Sequence, residues 1–148
     1  MILYYTMKED KPYFKTLTTI TNFNIILTGV VFHTMLSQFK GSFLVELQHT
    51  LVPIFYVLFY YIVIKEGVEL KRFWIQLIYP TVYFVLFIII GWITSWYPYP
   101  FMNVGMVGAK MVFTTILLYM LPGMVMLAFL LTFAKQSLMR GEKVIEIT

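Results

Sequence analysis

Four long stretches of apolar residues constrain the fold of this chain more than any other feature of its sequence. They cover residues 16–36, 43–64, 73–96 and 111–134. The last two contain no Asp, Glu, Lys or Arg. A helix needs about 20 residues, each rising about 1.5 Å, to cross the hydrocarbon core of a bilayer. Each stretch is therefore long enough to form a membrane-spanning helix.

The same stretches are rich in Ile, Val, Phe and Tyr, which favour β-strands in water. In lipid, however, every backbone amide must be bonded within its own segment or within a closed barrel. The stretches lack the alternation of apolar and polar residues that is typical of barrel strands. The sequence therefore predicts an all-α, polytopic membrane protein with four transmembrane helices.

The composition agrees with this prediction and limits the classes of partner. Hydrophobic residues make up 60% of the chain and charged residues 12%, against about 25% charged in a typical soluble domain. The net charge of +4 comes from basic residues between the apolar stretches, so it indicates membrane flanks and not a nucleic-acid-binding patch. Membrane lipids are the predicted partners. There is no cysteine, and no metal site or cofactor is predicted.

The basic residues also predict an orientation. Segments 1–15, 65–72 and 135–148 each hold three Lys or Arg residues, whereas the other two joins hold one each. Positively charged segments stay on the cytoplasmic side of a membrane. We therefore expect a cytoplasmic N-terminal segment, a transmembrane domain at 16–134 and a cytoplasmic tail, in the cell membrane.

Ionisable residues at the start of the second helix are the first candidates for function. Glu46 and His49 are three residues apart, so they share a helix face. Pro53 has no N–H, so the carbonyl of His49 loses its usual helical donor. His49 would lie about 9 Å below the outer helix end, at a depth that a lipid ester reaches. His49 is therefore a candidate catalytic base and Glu46 a candidate substrate-binding residue. The alternative is that His49 only hydrogen-bonds a neighbouring helix.

A second candidate segment follows the third helix. Trp96, Tyr97 and Tyr99 are interrupted by Pro98 and Pro100, which cannot continue a helix. The three aromatic residues would form a wall over a lipid pocket and bind substrate there. Alternatively, they anchor the chain at the membrane interface, where amphipathic rings are stable.

Three segments of the chain share the pattern of a known family. They are 48–53 (Gln-His-Thr-Leu-Val-Pro), 79–80 (Tyr-Pro) with Tyr83, and 96–101 (Trp-Tyr-Pro-Tyr-Pro-Phe) with Gly105. In combination they resemble the androgen-induced membrane protein family and its bacterial relatives, which include hydrolases of fatty acid esters of hydroxy fatty acids. The resemblance covers the second, third and fourth predicted helices, and residues 27–33 of the first more loosely.

The resemblance implies a threonine nucleophile that works with a histidine. His49 matches the family histidine, but the family threonine lies on an earlier span. Members usually have two more helices, so this chain looks like a relative that lacks the first two spans. Thr28 is the threonine inside the first helix whose depth comes nearest to that of His49, so geometry makes it the candidate nucleophile. Thr18 would lie too deep.

Two functions follow as hypotheses. The first is a lipid ester hydrolase, in which His49 acts as general base toward a threonine hydroxyl and an acyl-enzyme forms. The second is a non-catalytic membrane protein, a shortened relative of the hydrolases, that binds lipid or a partner helix. The sequence predicts neither the substrate nor the oligomeric state.

Overall fold

The computed structural model describes residues 12–36 and 42–145, and this part of the chain consists of helices and their connections, without strands. The helices lie in chain order as follows: α1 (Pro12–Met35), α2 (Phe43–Ile62), α3 (Leu70–Thr94), the short α4 (Val104–Val107), and α5, which consists of Ala109–Thr114, Thr115–Met120 and Leu121–Ile145. The prediction of an all-α fold is confirmed. Below, the upper end of the bundle is where α1 ends and α2 begins.

Three helices are long and apolar enough to cross a membrane: α2, α3 and the part of α5 from Ala109 to Gly141. They correspond to three of the four predicted spans. The bounds of α2 and α3 agree with the predictions to within three residues, whereas the third candidate span continues to Gly141, beyond the predicted end at 134. The first helix is not among them. It is 24 residues long, but it carries Asn22, Asn24 and several threonines that lower its hydropathy. The predicted membrane orientation rests in part on Lys8, Lys11 and Lys40, and these residues lie outside the described part of the chain.

Two of the three prolines within the apolar helices follow a widened turn. In α2, the residues Leu47–Leu51 form a π-helical turn that ends two residues before Pro53. In α5, the residues Thr115–Met120 form a second π-turn that ends two residues before Pro122. Because proline lacks an N–H, regular bonding cannot pass through it, and a local π adjustment reorganises the preceding carbonyls.

The third proline, Pro80, lies inside α3, close to the point where the helix changes from the 3-10 to the α form. The first eight residues of α3, Leu70–Leu77, form a 3-10 helix, and the α-helical part starts at Ile78. Pro80 therefore lies in the first α-helical turn, directly after the change from 3-10 to α-helix, a position where proline is tolerated. The 3-10 segment directs Gln76 into the bundle, where its Nε2 donates to Thr132 Oγ1 at 2.7 Å.

Helix α1 lies at the centre of the bundle and contacts α2, α3 and α5. Its Phe23 is fully buried in a core with Phe84 of α3, with Met120, Met124 and Ala128 of α5, and with Met102 of the connection between them. The polar side chains of α1 also point inward, because Thr18, Thr19 and Asn22 are all buried. This inward polarity explains why the helix is less apolar than the others although it lies inside the bundle.

A polar cluster joins three helices at the lower end. The hydroxyls of Thr19 and Tyr60 lie 2.9 Å apart, which connects α1 to α2. Lys135 of α5 is only 3% exposed, and its Nζ donates to the carbonyl oxygens of Tyr60 (3.0 Å) and Ile64. The ammonium group thus binds the last carbonyls of α2, where the helix dipole favours positive charge.

Candidate functional site

A cleft of about 510 Å³ lies between α1 and α2 in the upper half of the bundle. A glycine within the cleft allows the two helices to approach closely, because a Cβ added at Gly29 would lie 3.2 Å from the His49 carbonyl oxygen and 3.5 Å from Pro53. The polar residues of the cleft are His33, Thr34, His49 and Thr50 at its upper end. The remaining lining is apolar: Ile26, Gly29, Val30, Pro53, Ile54, Val57 and Leu58. The cleft therefore combines a polar end with a hydrocarbon-like floor.

Three side chains at the polar end form a continuous hydrogen-bonded chain. Thr50 Oγ1 lies 2.9 Å from His33 Nε2 and donates to Glu46 Oε2 at 2.8 Å. A hydroxyl has one hydrogen, so Thr50 accepts from His33 while it donates to the carboxylate. The order is therefore His33 N–H to Thr50 O–H to Glu46. Glu46 and Thr50 are four residues apart on α2, and His33 approaches from α1.

His49 lies beside this chain without joining it. Its Nδ1 is 2.9 Å from the carbonyl oxygen of Val45, four residues earlier. Because a carbonyl can only accept, Nδ1 carries a hydrogen, which leaves Nε2 as the nitrogen that would act as a base. The ring also stacks on Phe32 of α1, with centroids 4.4 Å apart. These two contacts fix the orientation of the imidazole, which is suitable for a base that acts on a bound molecule or water.

Thr28 faces a different cavity from His49. Its hydroxyl donates to the carbonyl of Asn24 at 2.8 Å. It lines a cavity of about 360 Å³ between α1 and α3, together with Tyr79, Tyr83 and other residues that do not include His49. Gly29, the next residue, points toward α2 instead. The structure therefore does not bring together the catalytic pair that depth alone suggests.

The aromatic segment after α3 divides into exposed and inward-facing residues. Trp96 is 58% exposed, as expected for an interface anchor. Tyr97 packs over Gly91, where an added Cβ would lie 2.1 Å from its ring. Tyr99 stacks on Phe101 with centroids 5.3 Å apart and lines the cavity that contains Thr28. Tyr99 thus lines a cavity, but none of the three residues lines the cleft of His49, and substrate binding by these residues stays a prediction.

The contact between His33 and Thr50 is the feature that sequence reasoning misses. His33 alone suggests an interfacial residue, and Thr50 alone suggests nothing. One local signal was available, because Glu46 and Thr50 have the spacing at which side chains meet on a helix. The contact of His33 with Thr50 depends on how α1 is rotated against α2, which the sequence does not reveal. Gly29 allows the two helices to come close enough for this contact.

The arrangement suits acid–base or acyl-transfer chemistry better than metal binding. Within the described residues there is no group of three His, Cys, Asp or Glu side chains that could hold a metal ion. The cleft instead offers a hydroxyl bonded to a carboxylate, a donor on His33 and the imidazole of His49. Comparison with known proteins identifies no relative: no family model, curated protein or solved structure matches this chain.

Proposed function

We propose that this protein is a multi-pass membrane protein that binds an ester-bearing lipid in the α1–α2 cleft and hydrolyses the ester through Thr50. One observation supports the proposal most strongly, namely the hydrogen bond from the Thr50 hydroxyl to Glu46 at the polar end of an apolar cleft. A hydroxyl that already donates to a carboxylate has an acceptor for its proton when it attacks. The resemblance to the androgen-induced family supports the same class of reaction, with Thr50 replacing Thr28 as nucleophile.

The reaction proceeds by acyl transfer in two steps. Thr50 Oγ1 attacks the ester carbonyl carbon and its proton passes to Glu46, and His33 Nε2–H donates to the oxygen that becomes negative. The bond to the leaving alcohol breaks, and the alcohol takes the proton from Glu46. In the second step His49 Nε2 removes a proton from water, which attacks the acyl-threonine. Thr50 recovers its hydrogen through Glu46, which takes it from the hydroxyl that has added to the acyl carbon, so that the fatty acid leaves as a carboxylate and His49 releases its proton to water.

We also propose that α1 is a fourth span and that both termini are cytoplasmic. Helix α1 accompanies α2 along its whole height: Lys15 lies 3.9 Å from Glu66 beyond the lower end of α2, and His33 contacts Thr50 near its upper end. A helix of 24 residues is about 36 Å long, which is sufficient to cross a bilayer. The distribution of Lys and Arg along the sequence supports the orientation.

Lipid binding without catalysis is the second candidate function. It is favoured by the position of His49, which is bonded to a backbone carbonyl and stacked on Phe32, and which contacts neither Thr28 nor Thr50 through a hydrogen bond within the described residues. In this case the polar residues at the end of the cleft would only bind the polar part of a lipid, and the apolar floor its acyl chain.

Replacement of Thr50 separates the two functions. In purified protein with a fluorogenic fatty acid ester, Thr50→Ala should lower turnover by a factor of about 100 or more, because the nucleophile is lost. Thr50→Ser should keep a substantial part of the activity. Thr94→Ala is the matched control, because Thr94 also donates to its own helix, at Ile90, but lies outside the cleft. Equal activity of wild type and Thr50→Ala would remove Thr50 as nucleophile, and an inactive wild type that binds the ester would support lipid binding alone.

A further inference from the structure

A second apolar cavity lies on the other side of α1. It is a groove of about 430 Å³ between α1 and α5. Its only polar lining residues are Thr34 and Tyr119, and the others are apolar: Leu27, Val30, Val31, Met35, Met120, Gly123, Met124, Met126, Leu127 and Leu130. Among the residues that the structure describes, no Asp, Glu, Lys or Arg lines it. The groove therefore suits an uncharged hydrocarbon segment, as the floor of the α1–α2 cleft does.

The cleft and the groove share a rim at their upper ends. Val30 and Thr34 of α1 line both of them. From this rim the cleft extends along α2 to Leu58, and the groove extends along α5 from Tyr119 to Leu130, over a length of about 16 Å. The polar chain of His33, Thr50 and Glu46 lies at the same end. Two apolar channels thus diverge from one polar site.

From this geometry we propose that the site binds a lipid with two acyl chains, one in the cleft and one in the groove, with the ester-bearing part at the shared rim. The inference rests on the proposed lipid function and defines its ligand as a two-chain lipid, as opposed to a single-chain ester. Among the described residues, neither lining contains a Lys or Arg that could pair with a phosphate, and this favours an uncharged headgroup, as in a diacylglycerol.

The shape of the two channels distinguishes a lipid from a partner helix. A helix with its side chains is about 10 Å wide and requires one continuous groove. Here α1 projects between the channels, with Val30 45% exposed on the ridge that separates them. Two thin, flexible chains joined at one end fit this divided surface, because each chain buries its methylene groups in a separate channel.

One substitution can fill the groove without disturbing the helix that carries it. A Cβ added at Gly123 would have no atom within 4 Å, and Gly123 lines the groove. Gly123→Leu should therefore place its side chain in the groove, and leucine is also a better helix former than glycine. Gly141→Leu is the matched control, because Gly141 is equally open and lies outside both channels.

The experiment measures binding of radiolabelled dioctanoylglycerol and monooctanoylglycerol to the purified full chain. All variants also carry Thr50→Ala, so that the proposed hydrolysis does not consume either lipid. We expect Gly123→Leu to weaken dioctanoylglycerol binding by about tenfold, since several methylene groups lose their burial, and to leave monooctanoylglycerol binding unchanged. Gly141→Leu should change neither.

If Gly123→Leu weakened the binding of both lipids, or of neither, the two-channel inference would be wrong. It would also be wrong if the parent protein bound the one-chain and two-chain lipids with equal affinity. These results do not depend on catalysis. A wild-type protein that hydrolyses no ester but shows the expected binding pattern would exclude the proposed reaction and retain the two-chain site. A protein that hydrolyses esters but binds one-chain and two-chain lipids equally would support the proposed reaction and exclude the two-chain site.

Discussion

At the scale of single residues, Thr50 and His49 at the polar end of the cleft are held in place by different contacts. Thr50 is held by two hydrogen bonds, one from α1 and one within α2. His49 is held by a backbone carbonyl and by the ring of Phe32. Within the described residues, Glu46 is the one group that accepts from the Thr50 hydroxyl, so the proposed first step depends on this carboxylate.

Replacement of Glu46 by glutamine tests this division. Glu46→Gln keeps the size of the side chain and an oxygen that can accept from Thr50, but it removes the basic carboxylate. We expect ester turnover to fall by a factor of about 100 to 10,000, the usual contribution of a general base, with little change in lipid affinity. The measurement is a comparison of turnover and binding for the same ester.

The control for Glu46 is another carboxylate near a helix end. Glu66→Gln alters an exposed residue that pairs with Lys15 at 3.9 Å, at the lower end of the bundle. This variant should keep full activity. If Glu46→Gln were as active as Glu66→Gln, the proton of Thr50 would have to pass to another group, and the proposed first step would be wrong.

Sequence reasoning reaches Glu46 and His49 but not the threonine beside them. Depth along a helix follows directly from residue number, so it orders candidates along the membrane normal. The direction in which a side chain points around the helix depends on packing. Thr28 has a suitable depth but points toward α3, whereas Gly29 points toward α2. The rotation of α1 about its axis therefore decides whether Thr28 can face His49, and in the structure it does not.

At the scale of elements, close helix contacts occur where glycine leaves space for a large neighbour. On α3, the ring of Tyr97 occupies the space that a side chain at Gly91 would need. This contact folds the segment after α3 back against the helix that precedes it. Ser95, with a φ of 59°, makes the reversal possible by adopting the left-handed conformation.

Gly91→Ala should displace Tyr97 and loosen this segment. An added Cβ at 2.1 Å from the ring cannot be accommodated without movement, and overpacking of this kind typically costs about 1–3 kcal/mol. We expect a lower melting temperature for the purified protein. Gly123→Ala is the control, because nothing lies within 4 Å of its Cβ, and it should keep the wild-type value or exceed it.

A double substitution identifies the cause of any loss. If the clash with Tyr97 is responsible, Gly91→Ala should cost much less in a Tyr97→Ala background, where the ring is absent. An equal cost in both backgrounds would show that Gly91 matters for another reason. The sequence predicts where α3 ends, from its prolines and aromatic residues, but it does not predict that Tyr97 turns inward, since this depends on a neighbour six residues away.

At the scale of the whole molecule, the polarity of α1 and the burial of Lys135 are both consequences of packing. Sequence averages treat the polar residues of α1 as evidence against a span, yet Asn22 and Thr19 are buried between helices. Likewise, Lys135 counts as one of three basic residues in the predicted tail, but it binds carbonyls of α2 inside the bundle. Hydropathy and charge counts are informative about the membrane only for residues that face outward.

The lower end of the bundle carries the polar groups that are expected at a membrane surface. Lys71 Nζ is 2.7 Å from Glu69 Oε2, and this hydrogen bond holds the pKa of Glu69 below its usual value. Both residues lie where α2 joins α3, and Lys15 of α1 reaches Glu66 in the same join. The beginning of α1 therefore lies level with the ends of two apolar helices, which is the position that a fourth span requires.

Labelling of single cysteines tests this topology directly, because the chain has no cysteine of its own. Tyr13→Cys and Ser42→Cys place one thiol near each end of α1. With a membrane-impermeant maleimide on intact cells, Ser42→Cys should be labelled at once and Tyr13→Cys only after permeabilisation. Met106→Cys, in the exposed connection after α3, should behave like Ser42→Cys, because α2 and α3 together return the chain to the same side. Labelling of Tyr13→Cys and Ser42→Cys from the same side would place α1 on the membrane surface and leave three spans. The cleft would then open at that surface, and the proposed two-channel lipid site would not lie inside the membrane.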